Sequence, residues 1–128
     1  MNDVAQAARS LYERLGGESA IEAAVVTFYE SVMADEQLAP FFVHLDLRAQ
    51  IDKQIAFMTM AFGGPNRYSG RDLRTAHAKL VATGLGDAHF DAIIAHLADT
   101  LRGMGIDEET ANEVRVIVEG TRADVLGR

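Results

Sequence analysis

Four polar side chains stand where helix periodicity calls for apolar ones: Tyr29, Gln50, Gln54 and His77. A buried polar group costs roughly 1–3 kcal/mol unless something pairs with it. Four of them in one small helical chain point to a shared partner, and a bound prosthetic group meets that need. His77 sits between Leu73, Leu80 and Val81 on the apolar face of its segment, with Arg74, Thr75 and Lys79 on the other face. A core histidine satisfied by its neighbours is the plain alternative. The other histidines, His44, His89 and His96, do not repeat this placement. No His-x-x-x-His or Glu-x-x-His spacing occurs, which disfavours a zinc or di-iron site made of protein ligands alone. A single axial histidine suits a metal that arrives already ligated by a macrocycle, namely haem iron.

Placed at about 100° per residue, Tyr29 continues the arc of Ile21, Val25, Phe28 and Val32 and faces inward. A buried tyrosine that bonds a nearby carbonyl would look the same. In the next helical segment Leu47, Ile51, Ile55, Met58 and Phe62 form one stripe. Gln50, Gln54, Phe57 and Ala61 form a second beside it. Gln50 also suits a half-exposed rim, whereas Gln54 lies opposite Asp52 and Ala56, away from water. Lys53 is at the stripe's edge, where its stem can snorkel to solvent or turn toward a pocket.

The elements that must hold these groups are helical. Ser10 with Glu13 and Ser19 with Glu22 read as capping boxes, separated by Gly16-Gly17, so a short helix precedes a longer one that runs to about Met33. Asp46 caps a helix from Leu47 to about Ala61, which Gly63-Gly64-Pro65-Asn66 breaks. A short helix from Leu73 to Val81 follows, and Asp87 and Asp107 cap two final helices. Phe90, Ile93, Ile94, Leu97 and Leu101 stripe one; Val114, Ile117, Val118 and Val125 stripe the other. The loop at Leu85-Gly86 has no functional reading.

With 128 residues, 48% of them hydrophobic, one domain with a single core is expected over 1–128, residues 1–9 being an N-terminal extension. A net charge of −7 with no Lys/Arg run argues against nucleic acid or an anionic membrane as partner. The absence of cysteine excludes disulfides, thiolate metal sites and thioether haem attachment. No membrane span or signal peptide is visible, so a cytoplasmic protein is expected.

Seven segments in order then resemble one family: Leu11-Tyr12-Glu13-Arg14-Leu15-Gly16-Gly17, Phe28-Tyr29-Glu30-Ser31-Val32, Leu38-Ala39-Pro40-Phe41-Phe42, Lys53-Gln54-Ile55-Ala56-Phe57, Phe62-Gly63-Gly64-Pro65, Tyr68-Ser69-Gly70-Arg71 and Ala76-His77. Over residues 11 to 126 the chain is similar to the first group of truncated haemoglobins. The resemblance implies an all-α fold in which two antiparallel helix pairs, two over two, sandwich haem b. It implies His77 as proximal iron ligand and Tyr29, Gln50 and Gln54 as distal donors to a bound diatomic ligand. Phe41, Phe42, Phe57, Tyr68 and Leu73 then contact the cofactor. Phe57 and Met58 match positions along ligand paths in relatives, though Met58 also reads as core.

Lys53 divides the expectations. In some relatives the residue here ligates iron; in others a lysine pairs with a haem propionate. Ligation requires the amine to lose a proton, a cost of about 4–5 kcal/mol at pH 7, which favours the propionate. Relatives that fix haem covalently use a histidine in the last helix where Thr121 stands here, so non-covalent haem is expected. The resemblance implies reversible O2 binding, with NO dioxygenation as turnover when a reductase partner restores ferrous iron. The alternatives are a Lys53/His77-ligated redox protein and a haem-free globin-like interaction module. A monomer is expected.

Overall fold

A computed structural model describes residues 10–63 and 73–128, with side chains in the second stretch from residue 76 onward. The N-terminal extension, Tyr68 and the Leu73 side chain lie outside the described residues. Those described form seven α-helices and one 3-10 turn: α1 (Leu11–Leu15), α2 (Gly17–Ala34), the turn Ala39–Phe41, α3 (Leu47–Ala61), α4 (Leu73–Ala82), α5 (Asp87–Gly103), α6 (Glu108–Glu119) and α7 (Arg122–Val125). The fold is all-α. The α2/α3 and α5/α6 pairs pack within themselves, and α2 crosses α5 to join them, giving the two-over-two arrangement. Val25, Val32, Leu38 and Val114 are fully enclosed where the layers meet.

Local chemistry accounts for the element boundaries. Ser10 and Glu13 form the expected capping box at the start of α1. Gly16 ends that helix at φ 117° and also serves as the N-cap of α2. A Cβ at Gly16 would meet Ala20 Cβ at 2.7 Å, so both the backbone angle and the space require glycine. The second capping box is not used. Helix α2 already begins at Gly17, so Ser19 lies inside its first turn and is exposed. Asp46 caps α3 as expected, its Oδ1 accepting from Ala49 N at 3.2 Å.

Two expectations are corrected near the C-terminus. Gly86, not Asp87, is the N-cap of α5; its N–H donates to His89 Nδ1 at 3.0 Å, and the Asp87 carboxylate instead takes Arg122 and Arg128. The expected last helix is two. Asp107 does cap α6, accepting from Thr110 N at 2.7 Å. After Glu119 the chain turns, with Thr121 N and Oγ1 both donating to Val118 O, before α7 begins. A threonine hydroxyl competing for a carbonyl is a local route out of the helix.

Candidate functional site

Helix α2 carries Tyr29 into the interior because Ile21, Val25, Phe28 and Val32 bury the same face. Tyr29 is only 4% exposed and hydrogen-bonds the side chain of Gln50, which the Asp46 cap holds in the first turns of α3. Burial pushes the phenol above its usual pKa, and the bond to Gln50 offsets part of that shift. The hydroxyl therefore keeps its proton at neutral pH. The Tyr29 ring meets Phe28 edge-on at 5.3 Å and Phe42 at 5.8 Å. Tyr29, Gln50 and Phe42, drawn from three elements, thus converge.

Gln54 follows Gln50 by about one turn on α3 and is half-buried, as is Phe57, which packs against the core. Met58 is core at 4% exposed, lining a narrow apolar cleft with Ile21, Ala24, Phe62, Leu97 and Leu101. Lys53 is exposed. His77 is half-buried on α4. Among the described residues α3 packs on α2 while α4 packs on α7, and no comparable packing joins α3 to α4. The helices bearing Gln50, Gln54 and His77 are thus not sealed against each other.

A family model, the bacterial-like globins, matches residues 10–126. The group 1 truncated haemoglobin of Tetrahymena pyriformis is 43% identical over 120 residues, 94% of this chain and 97% of that protein. GlbN of Synechocystis is 44% identical over 122 residues, 93% and 98%. The 2/2 haemoglobin of Synechococcus sp. PCC 7002, solved in the cyanomet state with covalently attached haem, superimposes with a TM-score of 0.90 at 46% identity, covering 94% of this chain and all of that one. The chain belongs to the group 1 truncated haemoglobins.

The residues of this truncated haemoglobin fit the family's prosthetic group. Among the described residues no cluster of three or more His, Asp or Glu could hold a bare metal ion. A single half-buried imidazole is what a macrocycle-bound iron needs. Half-buried Phe42 and Phe57 offer apolar surface, while a buried hydroxyl and two amides offer donors.

Three polar contacts escaped the sequence reading. His89 meets Phe41 edge-on at 4.8 Å while accepting from Gly86, so Phe41 is braced on α5. Its place three residues after Gly86, the reciprocal capping position, was the available signal. His96 Nε2 lies 2.7 Å from Asp35 Oδ2, tying α5 to the C-cap of α2. Arg122 gathers acidic groups of α5 and α6. The last two join residues far apart in the chain, which no local pattern reveals.

Proposed function

We propose that this globin binds haem b non-covalently through His77 and uses Tyr29, Gln50 and Gln54 to stabilise O2 or another diatomic ligand, with NO dioxygenation as its turnover. The observation that carries this reading is buried Tyr29, hydrogen-bonded with half-buried Gln50 and set edge-on against Phe42. When bound, haem supplies the ligand-binding iron and the electron chemistry. Buried Tyr29 and half-buried Gln50, oriented against each other, would donate hydrogen bonds to a diatomic ligand held there, and such bonds are stronger where water is excluded. Gln54 is the next donor along the same face of α3. Phe42, Phe57 and, by family resemblance, Phe41, Tyr68 and Leu73 shield the cofactor. Overall, O2, NO and one electron from a reductase give nitrate.

Lys53 is exposed, which supports the solvent or propionate role over iron ligation, and with it the diatomic-ligand reading over the redox alternative. Non-covalent attachment is supported by Thr121, whose hydroxyl is bonded to Val118 O at 2.7 Å, and by the lack of any histidine after His96. A cytoplasmic monomer serving diatomic ligands, without nucleic-acid or membrane partners, completes the reading. Among the described residues no helix is long and apolar enough to cross a membrane.

The test is haem reconstitution of the wild type and of His77→Leu, followed by optical titration of the ferrous protein with O2 and by nitrate assay after NO addition. The wild type should take up one haem and yield nitrate, and His77→Leu should retain none stably. Undiminished haem retention in His77→Leu would refute the proximal assignment. A wild type that stays colourless would favour the haem-free module.

A further inference from the structure

Among the described residues, α4, the helix carrying His77, packs principally on one element, the four-residue α7. Isolated helices shorter than about 12–15 residues are marginal in water, so α7 must be held from outside. Arg122, its first residue, makes the attachment. Nη1 donates to Asp87 Oδ1 at 3.0 Å, Nη2 to Asp91 Oδ1 at 2.5 Å and Glu119 Oε1 at 3.0 Å, and Nε to Glu119 Oε2 at 2.5 Å. The guanidinium also lies 4.5 Å from the centroid of the Phe90 ring. Arg128 adds bonds of 2.7 and 2.8 Å to Asp87.

Exposed ion pairs are individually weak, but this side chain is only 19% exposed and spreads over three carboxylates and a ring face. A planar fork with five donors suits such a node; a lysine, with a point charge, does not. Asp87, Phe90 and Asp91 all belong to the first turns of α5, the helix that also packs on α2.

We propose that Arg122 is a positioning residue for the proximal side: it clasps α7 to α5, and α7 in turn fixes α4 and His77. Its effect on haem rests on the haem reading given above; the clasp itself does not.

The experiment compares full-length wild type, Arg122→Ala and Arg122→Lys by three readouts. These are haem transfer from the ferric protein to excess apomyoglobin, the iron–histidine stretching band of the ferrous unliganded protein, and backbone hydrogen exchange of the haem-free protein. Arg122→Ala should lose haem about tenfold faster, the scale of one lost hydrogen bond to a charged group. Its iron–histidine band should shift or broaden, and exchange should rise across α4 while α2 and α3 stay protected. Arg122→Lys should recover only part of each effect. Unchanged α4 exchange and an unchanged band overturn the proposal. Should Arg122→Ala not fold, Asp91→Asn removes one partner with the arginine in place and is expected to raise α4 exchange in the same direction; unchanged exchange there overturns it equally. A wild type that takes up no haem sinks the haem reading alone, since exchange in the haem-free protein still decides the clasp.

Discussion

At the scale of the residue, the Tyr29 hydroxyl is valuable because its surroundings settle its protonation and its direction. Burial keeps the phenol neutral, and Gln50 occupies one side of it. Replacing Tyr29 by Phe keeps the ring contacts with Phe28 and Phe42 and deletes only the donor. Hydrogen bonds that meet charge contribute about 1.5–3 kcal/mol, so oxygen release from the haem-loaded variant should quicken by roughly tenfold or more. Stopped-flow displacement of O2 measures this directly, and an unchanged off-rate would remove Tyr29 from the distal network. Tyr29 was legible in the sequence because a polar residue on an apolar arc is anomalous. The His96–Asp35 pair was not: each residue alone looks like an ordinary surface position, and only the crossing of α5 over the end of α2 brings them to 2.7 Å.

At the scale of the element, helix termini set where the site's side chains fall. Asp46 caps α3 one turn before Gln50, and Gln50 N donates to Asp46 O at 3.0 Å. Asp46→Ala should destabilise the protein by about 1 kcal/mol, the usual cost of a lost N-cap, as read by denaturant or thermal melting. Fraying of that turn should also quicken O2 release, because Gln50 then no longer braces Tyr29; a variant that melts earlier with an unaltered off-rate would separate the cap from the site. The Asp46 and Asp107 caps were readable because an acidic residue precedes an apolar periodic run. The Ser19–Glu22 box has the same form yet goes unused, since the left-handed Gly16 starts α2 earlier. The division between α6 and α7 left no mark beyond Gly120-Thr121, as Val125 continues the apolar period across it. Helical patterning is therefore a guide to which face is buried, and a poorer one to where a helix pauses.

At the scale of the whole molecule, the acidic surface is organised into clasps between elements distant in the chain. Arg14 on α1 pairs with Glu113 on α6, His96 with Asp35, and Arg122 and Arg128 with Asp87, with Asp91 and Glu119 completing the last group. The guanidinium of Arg128, then Arg122, lowers the pKa of Asp87; Arg122 lowers Glu119, Arg14 lowers Glu113, and His96 lowers Asp35. A carboxyl whose folded pKa lies below its unfolded value adds stability above that unfolded value, near 4, and loses it as pH falls through the folded one. Thermal stability of the haem-free protein should therefore fall below about pH 4 as these carboxylates take up protons. The three carboxylates paired with arginine are exposed enough for ions to reach, so added salt should weaken those clasps near neutral pH, where both partners are charged, and flatten the decline toward acid. Melting curves from pH 7 down to 3 at low and high salt test both parts. A decline as steep in high salt as in low would mean that the carboxylates gain from hydrogen bonds alone, whereas a flattened one assigns the coupling between the helix pairs to charge.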